Sequence, residues 1–272
     1  VNEAVETAHR NGILTAASLM VSAPCAADAV ARAKEMPSLN VGLHLVLVEG
    51  RPTLPAASIP NLVDSDGFFR TDMARAGAAM FFLPHVRRQL AAEIAAQFDA
   101  FRATGLPLDH VNAHKHFHLH PTIAALIRKI GASYGMRAAR VPLEPQDVLA
   151  QIEPGPASGI AALTAPFAKL QRRLFARAGI LTPDHVFGLR WSGAMTKDRL
   201  AGIIAHLPQG VSEIYLHPAT GPYRGCAPTY RYRDELDALC APEVIELIQK
   251  SDICCGGFTD FLDAPDRAKL SG

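Results

Sequence analysis

Residues Asp109–Pro121 read DHVNAHKHFHLHP, and the period of the first half of this run decides the fold. Side chains on a β-strand alternate between two faces. Val111 and Ala113 fall on one face, and His110, Asn112 and His114 on the other. An apolar row beside a polar one describes a strand with a core on one side and polar business on the other. Pro121 ends the alternation and suits the first turn of a helix, which TIAALIRKIGASYG continues. The run also concentrates five of the chain's eleven histidines between His110 and His120.

Outward from this unit the two element types keep alternating. On the N-terminal side, a helix stopped by Gly12 leads into ILTAASLMV, a short helix over 26–36 follows, and NVGLHLVL is a strand with Val41, Leu43, Leu45 and Leu47 on one side. Residues 48–81 are rich in Pro, Gly and Asp and read as a long loop ending in the apolar cluster AAMFFLP. Val86, Leu90, Ile94, Phe98 and Phe101 then mark a helix that Gly105 ends. On the C-terminal side come a strand MRAARV, a loop over 142–158, and a helix over 160–179 interrupted near Pro166. DHVFGL, TKDRLAGIIAHL, SEIYLHP, PEVIELIQKSD and ICCGGF continue as strand, helix, strand, helix and strand.

Such alternation argues for parallel strands joined by crossover helices. The expected fold is α/β, a distorted or incomplete (β/α) TIM-like barrel formed as one domain over residues 1–272. An open doubly wound sheet is the alternative, although no glycine-rich nucleotide loop accompanies it.

Composition narrows the partners. Lys and Arg number 27 against 26 Asp and Glu, so no basic footprint for nucleic acid is present. Five cysteines without CxxC spacing fit a reducing compartment. No secretory leader and no run of about 18 apolar residues is seen, and a cytoplasmic protein is expected.

Period two places three histidines on the less apolar side of three different strands: His44 in NVGLHLVL, His114 in DHVNAH and His217 in SEIYLHP. His114 and His217 stand near the carboxyl ends of their strands, where barrel enzymes build their sites. Imidazoles converging from separate strands can share a divalent ion, whereas a hydrogen-bonded core or surface ring is the plainer reading of any one of them. His116, His118 and His120 follow the strand end, as solvated loop rings, supporting partners or substrate contacts.

The pieces NGILTAASLMV, VGLHLVLVEGRP, DHVNAHKHFHLHP and YLHPA, in this order and spacing, resemble the YdjC-like carbohydrate deacetylases, most closely the hopanoid biosynthesis-associated branch. The resemblance implies a distorted (β/α) barrel that removes an N-acetyl group from an amino sugar, here one attached to a hopanoid lipid, using one divalent ion. It assigns His44 and His114 as metal ligands and His217 as the catalytic general acid, and it places Arg140 in the site lining. Asn112 and His116 join Arg140 as candidate substrate contacts. Two imidazoles with a carboxylate favour Zn²⁺, whereas Mg²⁺, which the family also implies, prefers oxygen.

The family's N-terminal Asp-Asp-Phe-Gly segment, which supplies the third ligand and the general base, has no counterpart in this sequence. The expectation is that this strand lies upstream of Val1. A non-catalytic sugar- or lipid-binding descendant is the alternative. AAMFFLP and the basic, amphipathic FAKLQRRLFARAG are the segments expected to meet a lipid at a membrane surface, and YRGCAPTYRYRDE reads either as Arg and Tyr side chains that grip sugar hydroxyls or as a plain surface loop. A homodimer is a further expectation.

Overall fold

The computed structural model describes residues 1–155 and 159–262. Strands β1 (Ala16–Leu19), β2 (Asn40–Leu45) and β3 (Val111–Ala113) form one parallel sheet in that order. β4 (His185–Phe187) and β5 (Ser212–Ile214) form a second parallel pair. Between them the backbone continues side by side through single parallel bridges, Val111 to Ala139 and Ala138 to Leu181. The Val186 N–H adds a bond to the Leu143 carbonyl at 2.8 Å. The fold is therefore α/β with parallel strands.

α1 (Asn2–Asn11) precedes β1; α2 (Ala26–Lys34), α3 (Met73–Phe82), α4 (Pro84–Ala103), α5 (Pro121–Ala132), α6 (Gln146–Ile152), α7 (Gly159–Arg177) and α8 (Lys197–Ala205) lie between strands; α9 (Tyr232–Leu239) and α10 (Pro242–Gln249) follow β5. α4 shows how sequence becomes packing. Its stripe of Val86, Leu90, Ile94, Phe98 and Phe101 is buried along its whole length, Pro84 opens it, and Gly105 follows its end at φ +75°. Two polar residues interrupt that face and are also buried. Gln97 takes the Val46 N–H and gives its amide to the Val46 carbonyl, while Glu93 accepts the N–H groups of Thr53 and Leu54. α4 therefore holds the backbone that leaves β2, just beyond His44.

Two apolar clusters carry the packing. One lies under β1–β3 against α3, α4 and α5, with Leu43, Leu45, Phe98 and Ile123 at its centre; the other joins β4 to α1, α8, α9 and α10 around Phe187, Trp191 and Leu239.

Several local expectations are corrected. The span 48–81 contains α3, whose start is capped by the Asp72 side chain accepting from the Arg75 N–H; its alanine-rich stretch carries no strong hydrophobic period. α6 falls within 142–155, and residues 156–158 of that expected loop lie outside the described residues. α7 runs unbroken through Pro166, and α9 begins inside the expected YRGCAPTYRYRDE loop. MRAARV is reduced to single bridges, and ICCGGF forms no ladder. SEIYLHP leaves the ladder at Ile214, so His217 sits three residues beyond its strand.

Candidate active site

Strand register brings the first pair of rings together. His44 on β2 lies directly across from Asn112 on β3, and His44 Nδ1 lies 2.6 Å from Asn112 Oδ1, so the ring nitrogen donates to the amide oxygen. The next residue after β3 is His114. Its ring centroid is 5.8 Å from that of His44, with the planes at 75°. Burial pushes the His44 imidazole down to about 3, with the neighbouring His114 adding to the effect. Burial likewise lowers His114. Both rings are therefore neutral at pH 7 and carry a lone pair for a cation.

Beyond His114 the chain turns through a 3-10 segment, His114–Leu119, in which Lys115 and His116 both take φ 52°. Left-handed backbone is uncommon for non-glycine residues and is stabilised by its surroundings. Here the surroundings are the ion pair of Lys115 with Glu49, itself at φ 49°, and the burial of Phe117 and His118. Of the readings open for the rings in this turn, solvated loop rings are set aside by where they point, and supporting partners or substrate contacts remain. His116 Nε2 lies 3.1 Å from the Tyr215 hydroxyl, His118 Nε2 donates to the Arg140 carbonyl at 3.0 Å, and His120 packs edge-on against Phe81 and Phe117. Turning the chain back on itself, rather than extending it, buries His118 and half-buries His116 and His120.

The facing wall comes from the backbone around 140 and from β5 and the residues after it. Arg140 is buried, its Nε 2.9 Å from both Glu213 carboxylate oxygens, with Nη2 closing a second bond to the same group. Its guanidinium carbon lies 4.5 Å from the centre of the Tyr215 ring, a cation–π placement. His217 stands between Tyr215 and Tyr230, at centroid distances of 5.6 and 5.2 Å. Its backbone N–H is held by Glu235, which also takes the Met195 N–H. The His217 ring keeps an open edge, yet desolvation by the recess around it, with the charges of Arg140 and His114, pushes it down to about 4.

All the sequence-picked residues thus fall in one neighbourhood, but not in equal positions. His44, His114 and His217 feel one another's charge. Asn112 is buried, its amide used on both sides by His44 and Ser18. Arg140 faces Glu213. The residues that sequence reading missed are Ser18, Asp109, Glu213 and Tyr215. The last two share the parity of His217 in SEIYLHP, so the same period-two rule would have found them.

Chain-wide comparison gives a consistent picture. The family profile described as "YdjC-like protein" matches residues 1–250. This chain belongs to the YdjC-like family. It is 30% identical over 221 residues to the carbohydrate deacetylase of Geobacillus stearothermophilus, covering 80% of this chain and 74% of that one. It is 38% identical over 134 residues to that of Brevibacillus brevis, covering 49% and 51%, and 34% identical over 137 residues to that of Vibrio cholerae O395, covering 49% and 50%. The chain spans about half the length of the last two relatives. Among solved structures it is similar to a protein of Enterococcus faecalis V583 named for cellobiose-phosphate cleavage, with a TM-score of 0.72 and 20% identity over 96% of this chain and 92% of that one. That likeness bears on the fold.

The donor set fits a divalent ion in part. Two neutral imidazoles stand side by side, and one has its second nitrogen occupied by an amide oxygen, as metal-bound histidines usually do. Catalytic zinc generally takes three protein ligands, and no cluster of three or more His, Cys, Asp or Glu suited to a metal occurs among the described residues.

Proposed function

We propose that the protein is a metal-dependent carbohydrate deacetylase that releases acetate from an N-acetylated amino sugar. The observation that carries this is the neutral pair His44 and His114, held across β2 and β3 within electrostatic reach of His217. His44 and His114 are the residues that would hold the ion. Once bound, a Zn²⁺ or Mg²⁺ ion supplies a polarised carbonyl and an acidified water.

The chain's own groups do the rest. His217, neutral in the free protein, takes up a proton released as water adds to the amide and returns it from its imidazole to the departing nitrogen. Arg140, fixed by Glu213, places a positive charge beside the carbonyl oxygen's path, and the Tyr215 hydroxyl with His116 offers polar contacts to the sugar. Asn112 acts on His44 rather than on substrate.

The finer reading follows the hopanoid branch: a lipid-linked amino sugar approached at a membrane surface, by a cytoplasmic, membrane-peripheral protein whose strands close as a single distorted (β/α) barrel. Its support is a row of uncovered apolar side chains. Phe81, Phe82 and Leu83 are 47%, 71% and 41% exposed where α3 meets α4, and Phe167, Leu170 and Leu174 line an outer face of α7 beside Lys169 and Arg173. No helix among the described residues is long and apolar enough to cross a membrane.

Acetate release from N-acetylglucosaminyl substrates, free and lipid-linked, with Zn²⁺ or Mg²⁺ supplied, tests the reading. A folded protein that releases none with either metal sinks it. A sugar- or lipid-binding descendant without catalysis is the second reading, and it predicts saturable sugar binding without acetate release.

A further inference from the structure

Behind His44 lies an unbroken line of hydrogen bonds that the proposed reaction does not touch. It starts at Asp109, whose buried carboxylate receives four donors: His110 Nδ1 at 2.7 Å, the Phe258 N–H at 3.1 Å, the Thr259 N–H at 2.9 Å and the Thr259 hydroxyl at 2.7 Å. Donors on every side hold a carboxylate ionised. The proton on this edge of His110 therefore sits on Nδ1. The opposite edge, Nε2, lies 2.9 Å from Ser18 Oγ. Ser18 Oγ receives Asn112 Nδ2 at 2.8 Å, and Asn112 Oδ1 meets His44 Nδ1 at 2.6 Å.

A hydroxyl has a single proton to give. Given to His110 Nε2, it leaves the lone pairs of Ser18 for the Asn112 amide N–H, which turns the amide oxygen towards His44. Only an Nδ1–H satisfies that oxygen, so Nε2 keeps its lone pair. The fold protects the start of the line. The His110 ring is stacked on Phe258 at 4.1 Å, and on its other side a Cβ at Gly42 would meet the ring at 2.5 Å. That contact explains why glycine stands two residues before His44.

We propose that Asp109, His110, Ser18 and Asn112 form a tautomer lock that fixes His44 with its proton on Nδ1 and Nε2 bare, with Ser18 as the positioning residue that sets the direction of the line. Its value to catalysis rests on the reading of His44 as a metal ligand; the tautomer itself does not.

Two-bond ¹H–¹⁵N spectra of the metal-free, ¹⁵N-histidine-labelled chain distinguish these states. The expected result is His44 as the Nδ1–H form in the parent, a mixture of both forms in Ser18→Ala, and recovery in Ser18→Thr, which keeps the hydroxyl. Zn²⁺ affinity should weaken about tenfold or more in Ser18→Ala and return in Ser18→Thr. An Nε2–H His44 in the parent, or a His44 unchanged in Ser18→Ala, overturns the lock. A parent chain that binds no Zn²⁺ but shows the expected tautomers overturns the metal reading and leaves the lock standing.

Discussion

The two walls of the site are built to opposite specifications. On the β2–β3 wall, the imidazole of His44 is tied through Asn112 and Ser18 to His110, and the supporting groups are buried or bonded on each side. On the facing wall only the backbone of His217 is clamped, through Glu235, while its ring touches the edges of Tyr215 and Tyr230 and accepts no hydrogen bond among the described residues. A ligand ring must hold one lone pair on one line, because a small angular error weakens the bond to a cation. A proton carrier must instead turn between the atom that gives the proton and the atom that receives it. The fixed ring and the free one therefore fit different tasks.

The comparison can be broken most severely from the fixed side. His44→Ala or His114→Ala is expected to remove Zn²⁺ binding and to lower acetate release by at least about 10⁴-fold, the several kcal/mol a metal contributes to a developing oxyanion. His217→Ala should cost about 10²–10³-fold in turnover, the usual share of a positioned acid or base, while calorimetric Zn²⁺ affinity stays at the parent value. Equal loss of metal binding in both variants would erase the distinction between the walls.

The support beneath Arg140 comes next. Glu213→Gln leaves a guanidinium buried without its bidentate partner, and urea unfolding should show a loss of about 3 kcal/mol. Acidification probes the buried turn. His118 has its pKa pushed down to about 3 by burial and by Arg140, below the ordinary value of about 6.5. The unfolded chain therefore binds that proton first. The contribution of His118 is fully present above pH 6.5 and is lost at about 1.4 kcal/mol per pH unit as pH falls towards 3. Unfolding free energies at pH 7 and pH 5 should differ in that direction, and His118→Phe should flatten its share of the slope. The smallest effect belongs outside the site. Phe82→Ser, at a side chain 71% exposed, should change stability by less than about 0.5 kcal/mol yet reduce sedimentation with anionic lipid vesicles.

Much of this was legible in one dimension. The alternation in DHVNAH put Asn112 and His114 on the polar face, and the stripe of α4 predicted its buried side residue by residue. The polar residues inside that stripe, Glu93 and Gln97, were invisible, since nothing local says that a glutamate will be buried against the backbone of a distant loop. Which of the open readings holds for the three late histidines was hidden for a related reason. Two left-handed residues, Lys115 and His116, turn the chain inward, and neither side chain advertises that conformation as glycine would. α3 and the start of α9 lie in stretches whose composition points to loops.

By itself the sequence determined the class of fold, because strand and helix periods are properties of neighbours along the chain. It also singled out His44, His114 and His217 as candidate rings by their side of the expected strands, although β3 ends before His114 and β5 before His217. Only the tertiary structure decided what those rings are for. Ser18 meets His110 across 92 residues and Asp109 meets Thr259 across 150, and a proton's place on an imidazole depends on such distant partners as well as on a neighbour such as Asp109.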